Sequence, residues 1–75
     1  MKSIQISLTM AQKVKDFVNV VQKYDYDVDL RSGRYVVDAK SILGIFSLDL
    51  ANPINVEIHS DSCDDLLEEL AAFAK

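Results

Sequence analysis

The chain has 75 residues, which is enough for one small domain spanning residues 1–75 and no more. Apolar residues make up 49% of it, so a core can form, but a core this small stabilises marginally and must use most of its apolar side chains. A net charge of -4 disfavours nucleic acid and anionic membranes as partners, since both need a basic surface.

The first element is marked by Ile4, Ile6 and Leu8 alternating with Ser3, Gln5 and Ser7, the period of a half-buried strand over residues 2–8. Val14, Phe17, Val18 and Val21 then recur at i, i+3, i+4 and i+7, which predicts a helix over residues 11–23 with these four on its inner face. Residues 25–30 alternate strictly, so Tyr26, Val28 and Leu30 are expected to face the core and Asp25, Asp27 and Asp29 to face water. Ser32-Gly33 is a two-residue turn signal, and residues 34–38 read as the return strand of a hairpin. The apolar run Ile42–Leu48 has a length that fits strand or helix, and Ser41 as a candidate N-cap favours a short helix. Asn52-Pro53 breaks the chain. Ile54, Val56 and Ile58 alternate with Asn55, Glu57 and His59 to give a fourth strand. Ser62-Cys63-Asp64-Asp65 has the spacing of a capping box, and Leu66, Leu70, Phe73 and Ala74 form the apolar face of a final helix. The order is βαββαβα. Strands that each carry one apolar face predict an α+β open-faced sandwich, a four-stranded antiparallel sheet with helices on one face.

The start, Met1-Lys2-Ser3-Ile4-Gln5, carries no apolar h-region, and no apolar run approaches the roughly 20 residues of a membrane span, so neither a signal peptide nor a membrane segment is expected. The single cysteine, Cys63, fits a reducing cytoplasm and is read as a packing residue of the helix cap. Asp61, Asp64, Asp65, Glu68 and Glu69 cluster about the N-terminus of the last helix as a solvated, dipole-matched face rather than a calcium site. His59 is the only histidine and is expected on the wet sheet face beside Glu57. No second His or Cys gives metal-ligand spacing, and no cofactor is expected.

Two stretches carry a family resemblance. Lys23-Tyr24-Asp25-Tyr26-Asp27-Val28-Asp29-Leu30 resembles K-Y-D-A-D-V-N-L, and Lys40-Ser41-Ile42-Leu43-Gly44-Ile45-Phe46-Ser47-Leu48 resembles K-S-I-M-G-V-M-S-L. Both stretches are those of HPr, the histidine-containing phosphocarrier of the bacterial sugar phosphotransferase system, and they stand at the family's separation without a gap. The resemblance covers nearly the whole chain by element order and about residues 23–58 by sequence. HPr receives a phosphoryl group from enzyme I and passes it to sugar-specific transporters, using the histidine of G-I-H-A-R-P-A at the start of its first helix. Extending the alignment backwards places Met10 at the histidine position, Gln12 at the arginine and Lys13 at the proline, after a shorter preceding stretch. A thioether cannot replace a nucleophilic imidazole nitrogen, and Gln12 keeps a donor but not the charge that suits phosphate oxygens. Lys13 and Lys15 restore positive charge nearby and are read as solvated.

The resemblance also implies a regulatory role for Ser41, the family's HPr-kinase serine, and a protein-docking role for Ile42, Leu43 and Phe46. A phosphate on Ser41 would add charge at a helix start; capping alone is the plainer use of the residue. A helix of about two turns cannot bury all of Ile42, Leu43, Ile45, Phe46 and Leu48, which leaves an apolar patch for contact. Three readings stay open, none of them an enzyme. The first is a non-catalytic regulatory or docking module, similar to the catabolite-repression HPr homologue of bacilli. The second is a phosphocarrier working through His59 or another unusual route, and the third is a structural module reusing the fold. The partners implied are proteins, namely HPr kinase, a transcription regulator or enzyme I, with no direct nucleic-acid or membrane contact; the oligomeric state is left open.

Overall fold

The alternation of apolar residues decides the architecture: each strand has one face that must be covered, and the two longer helices supply the cover. The computed structural model describes residues 1–74. Its elements are β1 (Lys2–Ile6), α1 (Ala11–Val21), β2 (Val28–Ser32), β3 (Tyr35–Asp38), α2 (Ile42–Phe46), β4 (Ile54–Ile58) and α3 (Asp64–Leu70), followed by a 3-10 turn, Ala71–Phe73. The sheet has the order β1-β4-β2-β3 and every pair is antiparallel.

The register sorts the faces. Ile4, Val56, Leu30 and Val37 form one row across the sheet, and Ile6 and Ile54 pair in another, all on the covered side. Val14, Phe17, Val18 and Val21 of α1 and Leu66 and Leu70 of α3 close over them, with Phe17 and Phe73 meeting edge-on at 5.8 Å. The open side carries the rows Ser3–Glu57–Asp29–Asp38 and Gln5–Asn55–Arg31–Val36. There Arg31 spans to Glu57 in a forked contact, Nε to Oε2 at 2.9 Å and Nη2 to Oε1 at 3.4 Å. The fold is thus the expected open-faced sandwich. No helix among the described residues is long and apolar enough to cross a membrane.

Five local expectations are corrected. β1 stops at Ile6, although Leu8 beyond it is fully buried. Residues 25–27 are not strand, although Asp27 C=O still accepts from His59 N–H at 2.9 Å; β2 begins at Val28, and Tyr26 is half-buried rather than turned into the core. The cause is α3: Tyr24 donates its hydroxyl to Glu69 and Tyr26 donates its own to Asp65 at 2.9 Å, which draws this segment across the helix. The hairpin loop is Gly33-Arg34, not Ser32-Gly33, because Ser32 pairs with Tyr35. Gly33 has φ +61 at the first loop position, as a type II′ turn requires, and only glycine adopts that angle without strain. The capping box at Ser62 does not form: the N-cap is Cys63, without a side-chain bond, and Ser62 N–H donates instead to Ser60 Oγ at 3.2 Å. Finally, Ala74 leaves the helical face. It is exposed and pairs as a single bridge with Ile6, closing that end of β1.

Candidate functional site

α2 is a five-residue helix held at both ends. Ser41 is its N-cap, in extended conformation, and its Oγ accepts a hydrogen bond from Gly44 N–H at 3.2 Å. Ser47 closes the other end by donating its hydroxyl to Gly44 C=O at 2.5 Å. One side of the helix is fixed by burial of Ile45 and by the close approach of Gly44 to β3, where a Cβ would stand 3.3 Å from Val37 Cβ and 3.2 Å from Ser41 Oγ. The other side then faces water. Leu43 is 81% exposed and Phe46 44% exposed, while Ile42 is half-buried against the core. Ser41 itself is exposed. The cap and the apolar side chains therefore share one accessible helix, and this helix packs against α1 as well as β3.

The start of α1 is different. Met10 is its N-cap, 62% exposed and without a side-chain bond to the helix. Gln12 Nε2 donates to Asp16 Oδ1 at 2.9 Å along the same helix. Lys13 does not simply project into solvent: its Nζ lies 5.9 Å from the centroid of the Phe73 ring, a cation–π contact. Lys15 is exposed.

His59 lies one residue beyond β4, exposed, with Nε2 2.7 Å from Asp29 Oδ2. It borders a shallow cleft of about 510 Å³ that Asp27, Asp38 and Lys40 also line. Cys63 is fully buried, its Sγ 3.5 Å from Ser60 C=O, so the thiol is a packing group. Most of the acidic cluster is individually paired. Asp61 meets the N-terminal ammonium, which holds its carboxyl below the usual range. Lys23, at 2.6 Å, and then Tyr24 hold Glu69 down likewise. In return the Glu69 carboxylate, with some desolvation, pushes the Tyr24 hydroxyl up to about 12. Asp65 raises Tyr26 in the same way. Among the described residues no group of three or more His, Cys, Asp or Glu side chains could hold a metal ion.

Two features escape the sequence reading. One is the Tyr24–Tyr26 stack at 5.8 Å that straps residues 24–26 to α3. The other is the pair Tyr35 and Val36, 68% and 45% exposed on the outer strand β3. The spacing Tyr-x-Tyr opposite Asp-x-x-x-Glu could have signalled the first; nothing but sheet order places β3 at an edge.

The sheet order, the cover on one side and the capped short helix are those of an HPr-like open-faced sandwich. The family model for the PTS HPr component phosphorylation site matches residues 9–75, and the chain belongs to the HPr family. Among solved structures, HPr of Bacillus anthracis is 30% identical, with 99% of this chain and 94% of that one covered and a TM-score of 0.74. HPr-C-His of Thermoanaerobacter tengcongensis has the same fold with a TM-score of 0.81, at 24% identity over 96% of this chain and 89% of that one. The catabolite repression protein Crh of Bacillus subtilis, solved as an intertwined dimer with a swapped domain, is 28% identical with a TM-score of 0.68, over 92% of this chain and 80% of that one. No curated protein sequence matches.

Proposed function

We propose that this protein is a regulatory or docking member of the HPr family that does not carry the phosphoryl group. The observation that supports it most is the accessible α2, with Leu43 81% exposed beside an exposed Ser41 cap. An apolar side chain left in water on a rigid, capped helix is what a partner's surface can cover with gain and without reordering the helix. At the other end of the family's chemistry, Met10 occupies the start of α1, and no imidazole is within the local sequence that could accept phosphate there. Ile42, Leu43 and Phe46 form the docking surface, with cytoplasmic proteins of the phosphotransferase system or a transcription regulator as partners. Phosphorylation of Ser41 modulates it by adding charge beside Leu43.

The experiment is treatment of the protein with HPr kinase and ATP, followed by mass spectrometry and an NMR titration with enzyme I or a regulator. The expected result is a single phosphate on Ser41 and partner-induced shifts confined to α2 and its neighbours. Shifts centred on the open sheet face, with α2 unaffected, would refute the docking assignment.

A further inference from the structure

β3 is the outer strand of the sheet, with β2 on one side only. The opposite outer strand, β1, is closed at its Ile6 end by the chain's own C-terminal segment, where Ser7 N–H also donates to Phe73 C=O at 3.0 Å. Among the described residues no such segment pairs along β3; only the Asp38 C=O at its end is taken, accepting from Ser41 N–H at 3.0 Å. Because Ser32 pairs with Tyr35 across a two-residue loop, Tyr35 and Val37 turn their backbone groups towards β2. The C=O of Arg34, both backbone groups of Val36 and the N–H of Asp38 therefore point outward. Soluble proteins guard such an edge with short strands, charged side chains, proline or a bulge. β3 is short and its charges, Arg34 and Asp38, stand only at its ends; between them it has no charge and no proline, and it shows Tyr35 and Val36 to solvent.

We propose that β3 pairs antiparallel with β3 of a second copy, about a two-fold axis at Val36. Val36 then faces Val36, Tyr35 faces Val37, and Arg34 faces Asp38. The two Val36 residues exchange N–H···O=C bonds, and each Asp38 N–H meets the Arg34 C=O of the other copy. Charge selects this register. Arg34 has no ion-pair partner among the described residues, and Asp38 uses only Oδ1, to accept from Lys40 N–H at 2.9 Å. Slipping the strands by two residues sets Asp38 against Val36 and loses both cross-strand pairs, and a parallel arrangement would set like charges side by side. The contact is isologous, so it closes at a dimer. Its sheet runs without a break through both copies. A seam of one short strand per copy falls below the roughly 1,200 Å² of a stable interface, which makes the dimer weak and reversible. The proposal stands whether or not α2 docks a partner.

Sedimentation equilibrium of the full chain, from micromolar to millimolar concentration, is expected to show a monomer–dimer equilibrium. An isotope-filtered NOE is expected between Tyr35 Hα and Val37 Hα of the other copy, since these form the close, non-hydrogen-bonded pair. Val36→Lys should weaken the dimer roughly tenfold or more while far-UV CD stays unchanged. Arg34→Glu and Asp38→Lys should each weaken it, and the two together should restore it. A chain that stays monomeric at millimolar concentration would overturn the proposal, as would a dimer indifferent to Val36→Lys and to the charge exchange.

Discussion

Leu43 and Ile45 sit two positions apart on α2, so the helix separates a side chain held by the domain from one left in water. Ile45 is fully buried; truncation to Ala removes its transfer free energy and leaves a cavity, for which about 3 kcal/mol is the expected loss. Stability for 75 residues is of order 4–11 kcal/mol, so Ile45→Ala removes a large part of it. Leu43 is 81% exposed, so little of its surface leaves water on folding, and Leu43→Ala should stay within about 0.5 kcal/mol of the parent. Urea unfolding followed by far-UV CD measures both. With a slope near 1 kcal/mol/M, Ile45→Ala should move the midpoint by roughly 3 M and Leu43→Ala by less than about 0.5 M. Binding should reverse the order: Leu43→Ala weakens an α2-directed partner about fivefold or more, with the fold intact. Equal losses of stability in the two variants would refute the division of α2 into an inner and an outer side.

Other expectations follow from the same geometry. Ser41→Ala removes the cap bond to Gly44 N–H and should cost about 1 kcal/mol in urea unfolding, whereas Ser41→Asp keeps an acceptor there and should cost less. Gly33→Ala meets no steric obstacle, yet φ +61 disfavours any Cβ, so a loss of about 1 kcal/mol is expected in the same assay. Tyr24 is raised to about 12 in the folded chain against about 10 unfolded, so its contribution is present below pH 10 and lost as pH rises towards 12. Thermal melts between pH 9 and 12 should show that loss, and Tyr24→Phe should flatten it. At the acid end the lowered Glu69 and Asp61 contribute above the ordinary carboxylate range and lose this as pH falls through their folded values. Glu69→Gln should shallow the acid limb of the stability curve.

Periodicity places β1, α1, β2, β4 and α3; the turn signal at residues 32–33 adds β3, and the cap at Ser41 decides for a helix at α2, where the apolar run alone fits strand or helix. Ile54, Val56 and Ile58 needed no further information. What escaped was decided by contacts between distant residues. Tyr26 alternates with Val28 and Leu30 and so reads as strand, but its hydroxyl finds Asp65, thirty-nine positions away, and a satisfied polar tip outweighs continued pairing. The Ser62 capping box has the right spacing, but Ser60 engages Ser62 first and Cys63 becomes the cap. On α2 the sequence could show that five apolar residues were too many for a short helix to bury. It could not show which would be left outside, because that depends on the approach of Gly44 to Val37.

Enzyme I with labelled phosphoenolpyruvate tests the proposal that this HPr-family chain docks without carrying phosphate. With authentic HPr as the positive control, no acid-labile label is expected on this chain. Acid-labile label recovered on His59, the sole histidine, would contradict it.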